Sequence, residues 1–147
     1  MNLDTVEEEK KITLVSKQGD EYTILAKNAS ISGLITSALS DESAKEIPLD
    51  VNGLVLENIV EFMNHRKGDS QISVEKPLKS TDMKIACSNK WEAEFIDKLG
   101  ENKKLLYDFI LASNYMDIQA SLHLGSAKVA SMLKGQPIDK IKDILAC

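Results

Sequence analysis

Ile12, Leu14 and Val15, with Thr13 and Ser16 between and after them, make a short run of β-type residues that predicts a strand. Lys17-Gln18-Gly19-Asp20 supplies a turn, and Tyr22, Ile24 and Ala26 then alternate with Thr23 and Leu25. An N-terminal hairpin is expected from this pattern. With Ser30 or Asn28 as the cap, Ile31, Leu34, Ile35, Ala38 and Leu39 fall at helical spacing. Gly33 opposes that helix by about 1 kcal/mol relative to Ala. Residues 40–45 are polar and loop-like. Glu46-Ile47-Pro48-Leu49-Asp50 predicts a third short strand, which its proline confines to a sheet edge or a strand end.

The second half of the chain is helical in pattern. From about Gly53 to His65, Val55, Ile59, Phe62 and Met63 share a face, with Leu56 and Val60 beside them. Residues 66–88 keep no period, hold Gly68, Pro77 and Asp82, and are expected to form a flexible insertion. Trp91, Phe95, Ile96 and Leu99 then make an apolar face, with Glu92 and Glu94 in a first turn where the helix dipole favours acids. Asn102 is positioned to cap the next helix, whose apolar stripe is expected at Leu105, Phe109, Ala112 and Met116. Leu106, Ile110 and Ser113, with Tyr107 and Leu111, spread its apolar surface further. Such a helix is either central or covered by a second element. Leu122, Val129, Ala130, Met132 and Leu133 pose the same problem, with Gly125, Ser126 and Ala127 allowing close approach and Gly135 as the stop. Gln136-Pro137 opens a last helix in which Ile138, Ile141 and Leu145 share a face. Two strands, a helix, a strand and then a run of helices predict an α+β domain with a small three-stranded sheet.

Composition narrows the functions open to this pattern. The 147 residues are enough for one domain with a proper core, and 43% hydrophobic with 28% charged residues is the balance of an ordinary soluble protein. A net charge of −5 and scattered basic residues exclude the basic face of a nucleic-acid binder. No apolar run spans a bilayer, and the acidic start Met-Asn-Leu-Asp-Thr-Val-Glu-Glu-Glu lacks the order of a signal peptide. Cys87 and Cys147 form no disulfide framework, so a reducing compartment, cytoplasmic and nuclear, is expected. Catalysis finds little support. Cys87 with His65 or His123 has no nucleophile motif around it, and two His and two Cys at these distances lack zinc-site spacing. No phosphate loop is present and no cofactor is expected.

Specific strings identify a family resemblance. Leu-Tyr-Asp-Phe-Ile-Leu-Ala-Ser-Asn-Tyr-Met-Asp-Ile at 106–118 resembles the signature helix of the Skp family, the adaptors of Skp–cullin–F-box (SCF) ubiquitin ligases. Ala-Lys-Val-Ala-Ser-Met-Leu-Lys-Gly at 127–135 resembles the helix that follows it there, and Lys-Trp-Glu-Ala-Glu-Phe-Ile-Asp at 90–97 the tryptophan-bearing segment before it. Residues 12–65 resemble the family's BTB/POZ core, including the Ile-Pro-Leu strand and the helix with Val-Leu-Glu-Asn-Ile-Val-Glu-Phe-Met-Asn-His-Arg-Lys. The resemblance implies a BTB/POZ-like core over 1–117 with an insertion at about 66–88. A C-terminal helical, F-box-binding extension over 118–147 follows.

It also implies a non-catalytic adaptor bridging the N-terminal region of a cullin to F-box proteins. Asn114 and Tyr115 match the cullin-facing pair, and Leu106, Tyr107, Ile110, Leu122, Val129, Leu133, Ile141 and Leu145 match the F-box side. A surplus apolar face on the last helices would also let the free chain homodimerise. Two departures stand out. Family members usually continue with an acidic helix beyond the position of Cys147, so the extension reads as truncated relative to the family. Gln136-Pro137-Ile138-Asp139 also replaces the usual Thr-Pro-Glu-Glu start of the last helix. The alternatives are an elongin-C-like adaptor, which lacks the helices of 119–145, and a self-associating BTB-type structural protein without a ligase role.

Overall fold

The structure, a computed structural model, describes residues 10–40, 45–74, 82–83 and 87–145. The expectations for residues 1–9, for 41–44, for Cys147 and for much of the 66–88 insertion lie outside these. Among the described residues three strands and seven helices occur, in the order β1 Lys11–Val15, β2 Glu21–Leu25, α1 Ala26–Ala29, α2 Gly33–Ala38, β3 Glu46–Pro48, α3 Gly53–Arg66, α4 Lys90–Leu99, α5 Lys103–Tyr115, α6 Gln119–Leu133 and α7 Ile138–Leu145. The fold is the expected α+β type with one small sheet. By compactness the chain forms two units, residues 1–70 with 112–119, and residues 71–111 with 120–147. This division falls inside α5, whereas the sequence reading placed its boundary at 117.

The first unit is built on the sheet, in the order β2-β1-β3. β1 and β2 form the expected antiparallel hairpin, with Ile12 opposite Ile24 and Leu14 opposite Tyr22. β3 runs parallel to β1, with Leu14 beside Ile47 and Val15 beside Pro48. Pro48 therefore ends an edge strand, where its missing N–H costs no ladder bond. Alternation places Ile12, Leu14, Ile24 and Ile47 on the buried face. α3 packs against β2 and α1 through the predicted stripe, and Val55, Leu56, Ile59, Phe62 and Met63 are all buried. Asn52 caps it by accepting from the Leu54 N–H at 3.0 Å. Arg66, at its C-terminal end, is also buried, with its guanidinium 5.4 Å from the Phe62 ring centroid and hydrogen-bonded to the Asp69 carbonyl at 3.2 Å.

Residues 26–39 depart from the sequence reading. Ala26 leaves the strand and starts α1, a helix the sequence reading did not expect, and the helix expected from Ile31 to Leu39 is the shorter α2. The cap of α2 is Ser32, not Ser30 or Asn28. The fully buried Ser32 hydroxyl accepts from the Ile35 N–H at 3.2 Å and donates to the Met116 carbonyl at 2.6 Å. Ser32→Ala removes both bonds, so the Ile35 N–H loses its cap and the Met116 carbonyl keeps only the Leu34 N–H. It should destabilise the chain by about 1–3 kcal/mol, read from the midpoint of urea unfolding. An unchanged midpoint would show that the two bonds contribute nothing net.

The second unit starts with a small clamp. Val74 and Cys87 form an isolated antiparallel bridge, and the Ser88 N–H donates to the Ser73 carbonyl at 2.9 Å. Asn89 caps α4 by accepting from the Glu92 N–H at 3.1 Å. Glu92 stands in the first turn of α4, as expected from sequence. It is completely buried and accepts the Ser73 hydroxyl at 2.5 Å. Cys87 is a buried free thiol. Trp91 stacks on Phe95 at 5.0 Å, and Phe95 meets Phe109 edge-on at 5.7 Å, joining α4 to α5. A 2.9 Å ion pair between Lys128 and Asp97 joins α4 to α6.

Candidate functional site

Two surfaces can be built from the residues upward, one in each unit. In the first, Asn114 and Tyr115 end α5. The backbone then turns through Asp117 at a left-handed φ of 54°. The last carbonyls of a helix and the first N–H groups of another are orphans of opposite kind. Here carbonyls of α5 are taken within its own C-terminal turn, and the first N–H groups of α2 by carbonyls just past it. The Gly33 N–H donates to the Asp117 carbonyl at 2.9 Å and the Leu34 N–H to the Met116 carbonyl at 3.2 Å, beside the Ser32 bond. Gly33 is closely approached at this junction, and a Cβ there would lie 2.1 Å from the Asp117 carboxylate and displace it.

This anchoring leaves the preceding pair outside. Both Asn114 and Tyr115 are exposed, Tyr115 at 46%. The Tyr115 hydroxyl accepts from the Asp50 N–H at 3.3 Å, so the ring is steadied from the α3 side of the unit. The surface it belongs to offers an aromatic body, a phenol and a primary amide to a partner. Among the described residues no three His, Cys, Asp or Glu side chains converge as a metal site would require.

In the second unit α6 lies close on α5. A Cβ on Gly125 would sit 2.6 Å from Cγ1 of Ile110 and 3.6 Å from the Phe109 ring, so glycine is what permits the approach anticipated for 125–127. The buried positions of α6 are correspondingly small, with Ala120, Ser121, Gly125 and Ser131 beside Leu124. Gly135, at φ 75°, follows α6 in the left-handed conformation expected of its stop. α7 is held differently. None of its residues is buried, and Ile138 and Leu145 are 70% and 52% exposed. Its C-terminal carbonyls are taken by α5, with the Lys103 ammonium donating to Asp143 at 2.8 Å and the Tyr107 hydroxyl donating to Ile144. A cation at a helix C-terminus is also favourable to the helix dipole.

Tyr107, Ile110, Ser126, Val129 and Leu145 line an open, mostly apolar groove of about 390 Å³ among these helices. Four of the eight residues expected on the F-box side therefore meet in one place. Leu122, Leu133 and Ile141 are half-buried but do not line the groove. Leu106 is completely buried and is a core residue, because the buried stripe of α5 runs Leu106, Phe109, Ala112 and Met116 where Leu105 was expected to open it. Ser126 is a lining residue that periodicity did not assign, since its small side chain signalled only close helix approach.

Comparison with known proteins finds relatives over most of the chain. It is 36% identical over 139 residues to the "E3 ubiquitin ligase complex SCF subunit sconC" of Arthroderma benhamiae, covering 90% of this chain and 80% of that protein. The protein of the same description from Aspergillus clavatus is 33% identical over 137 residues, 89% of this chain and 81% of the relative. The "S-phase kinase-associated protein 1 homolog" of Tetrahymena thermophila is 32% identical over 134 residues, 90% and 79% respectively. No family model matches the chain.

Proposed function

The chain belongs to the Skp family of SCF ubiquitin ligase subunits, and from that premise we propose that it is the adaptor joining a cullin to F-box substrate receptors. The observation that carries this reading is the apolar groove of Tyr107, Ile110, Val129 and Leu145 beside a helix that buries none of its own residues. Helices of a partner dock in such grooves through apolar anchors. We assign the F-box to it, and the cullin N-terminal region to the surface around Asn114 and Tyr115. The role is non-catalytic. By holding receptor and scaffold in one complex, the adaptor raises their effective concentration for each other, a gain linkage can supply without new chemistry. In the free chain the groove face is open to a second copy, which gives the homodimer expected from sequence its place in this reading.

Bridging is tested by capture. An immobilised cullin N-terminal fragment should retain a labelled F-box peptide only when the chain is added, and retention should saturate with the chain. Binding of either partner alone with mutual exclusion of the two would end the adaptor reading. Binding of neither, with concentration-dependent self-association, would favour the BTB-type structural protein instead.

A further inference from the structure

An exposed leucine by itself signifies little, since apolar atoms make up much of any protein surface. In the first unit, however, the large hydrophobic residues that are exposed among those described are Leu54, at 56%, and Tyr115, at 46%. They are linked. The Tyr115 hydroxyl takes the Asp50 N–H at 3.3 Å, and Asp50 stands four residues before Leu54 on the approach to α3. Four residues of chain reach at most about 14 Å. An interface of ordinary size covers about 800 Å² on each partner, wide enough to take in both side chains. The backbone of Leu54 is also held in place. Its N–H is bound by the Asn52 cap at 3.0 Å, and its carbonyl accepts the Asn58 amide at 2.9 Å. The exposed Lys17–Asp50 pair, at 3.9 Å, supplies a charged border to the same turn.

We propose that Leu54 is an apolar anchor of the cullin-facing surface, extending it from the end of α5 onto the first turn of α3. The inference rests on the adaptor reading and adds a residue to it. The receiving face of the cullin then presents an apolar recess for Leu54 beside hydrogen-bonding groups for Asn114 and Tyr115. A backbone already held at this point suits that task, because less freedom is lost on docking than from a loose segment.

The test is Leu54→Asp in the full chain. The substitution places an acid in the first turn of a helix, where the dipole accepts it, so the fold should hold. Titration against a cullin N-terminal fragment should show affinity reduced by roughly tenfold or more, with F-box peptide binding unchanged. Leu54→Ala should lie between the two chains. If Leu54→Asp binds cullin as the unaltered chain does while an Asn114→Ala/Tyr115→Ala chain does not, the anchor is refuted and the adaptor reading stands. If the unaltered chain does not bind cullin, both fall together. Loss of F-box binding alongside cullin binding would show a disturbed fold and would likewise refute a local anchor.

Discussion

A Val129→Asp chain should lose F-box peptide binding by about a hundredfold or more while keeping its affinity for cullin. Val129 is half-buried in α6 and lines the groove with Tyr107, Ile110, Ser126 and Leu145. A docked helix would cover the new carboxylate with apolar surface and no counter-charge. An uncompensated buried charge costs about 3–5 kcal/mol, and each 1.4 kcal/mol is about tenfold in affinity. Before docking, the same carboxylate reaches water, so the cost to the free fold should stay near that of an ordinary surface change. Calorimetric titration with a parallel thermal melt separates the two effects. Leu145→Asp, at a site already 52% exposed, should repeat the loss. Leu106→Ala should behave in the opposite way, because removing a fully buried leucine costs about 2–5 kcal/mol of stability without presenting a new charge to a partner. Either aspartate variant should also suppress self-association of the free chain. Unaltered F-box affinity in both would remove the groove from the binding surface.

The second large effect is expected at the other surface. Asn114→Ala/Tyr115→Ala should weaken cullin binding by roughly 30- to 1,000-fold, the range of a tyrosine-centred hot spot worth about 2–4 kcal/mol. F-box peptide affinity should not move. The fold loses one hydrogen bond, from the Asp50 N–H, for a stability change of about 1 kcal/mol. Cullin affinity within twofold of the starting chain would place that partner elsewhere.

Periodicity revealed those elements whose burial is decided within the element. The hairpin, the proline-ended edge strand and α3 lie within a residue or two of where alternation and helical spacing put them, because one face of each meets one core. The Gly125 approach and the Gly135 stop were likewise legible, since each is set by what a missing Cβ allows. The failures share a different cause. Ser32 takes its role from a carbonyl 84 residues away, and no local window contains that partner. Glu92 is the first-turn acid it reads as, but its complete burial, beside a Ser73 hydroxyl 19 residues away, has no local signal. On α5 three of the four stripe positions are buried as expected, and only the opening one was placed a residue early, at Leu105 instead of Leu106. Apolar residues occupy 105, 106, 109, 110 and 111, so spacing alone leaves the inward direction open. Leu106, matched to the partner surface by the family resemblance, is completely buried, whereas Tyr107 and Ile110 lie on the groove.

The division of the chain has a temporal consequence. The first unit ends its leading segment at Ser70 and completes itself with residues 112–119. During synthesis the sheet and α3 emerge long before Met116 and Ile118, both fully buried in the finished protein. At about 5–20 residues per second the interval is about 2–10 s, long on the scale of hairpin and helix formation. Until then the Ser32 hydroxyl has no distant carbonyl to bind, and the apolar surface awaiting those two side chains stays uncovered. Chaperone engagement of ribosome-bound chains should accordingly fall only once residue 119 has cleared the exit tunnel.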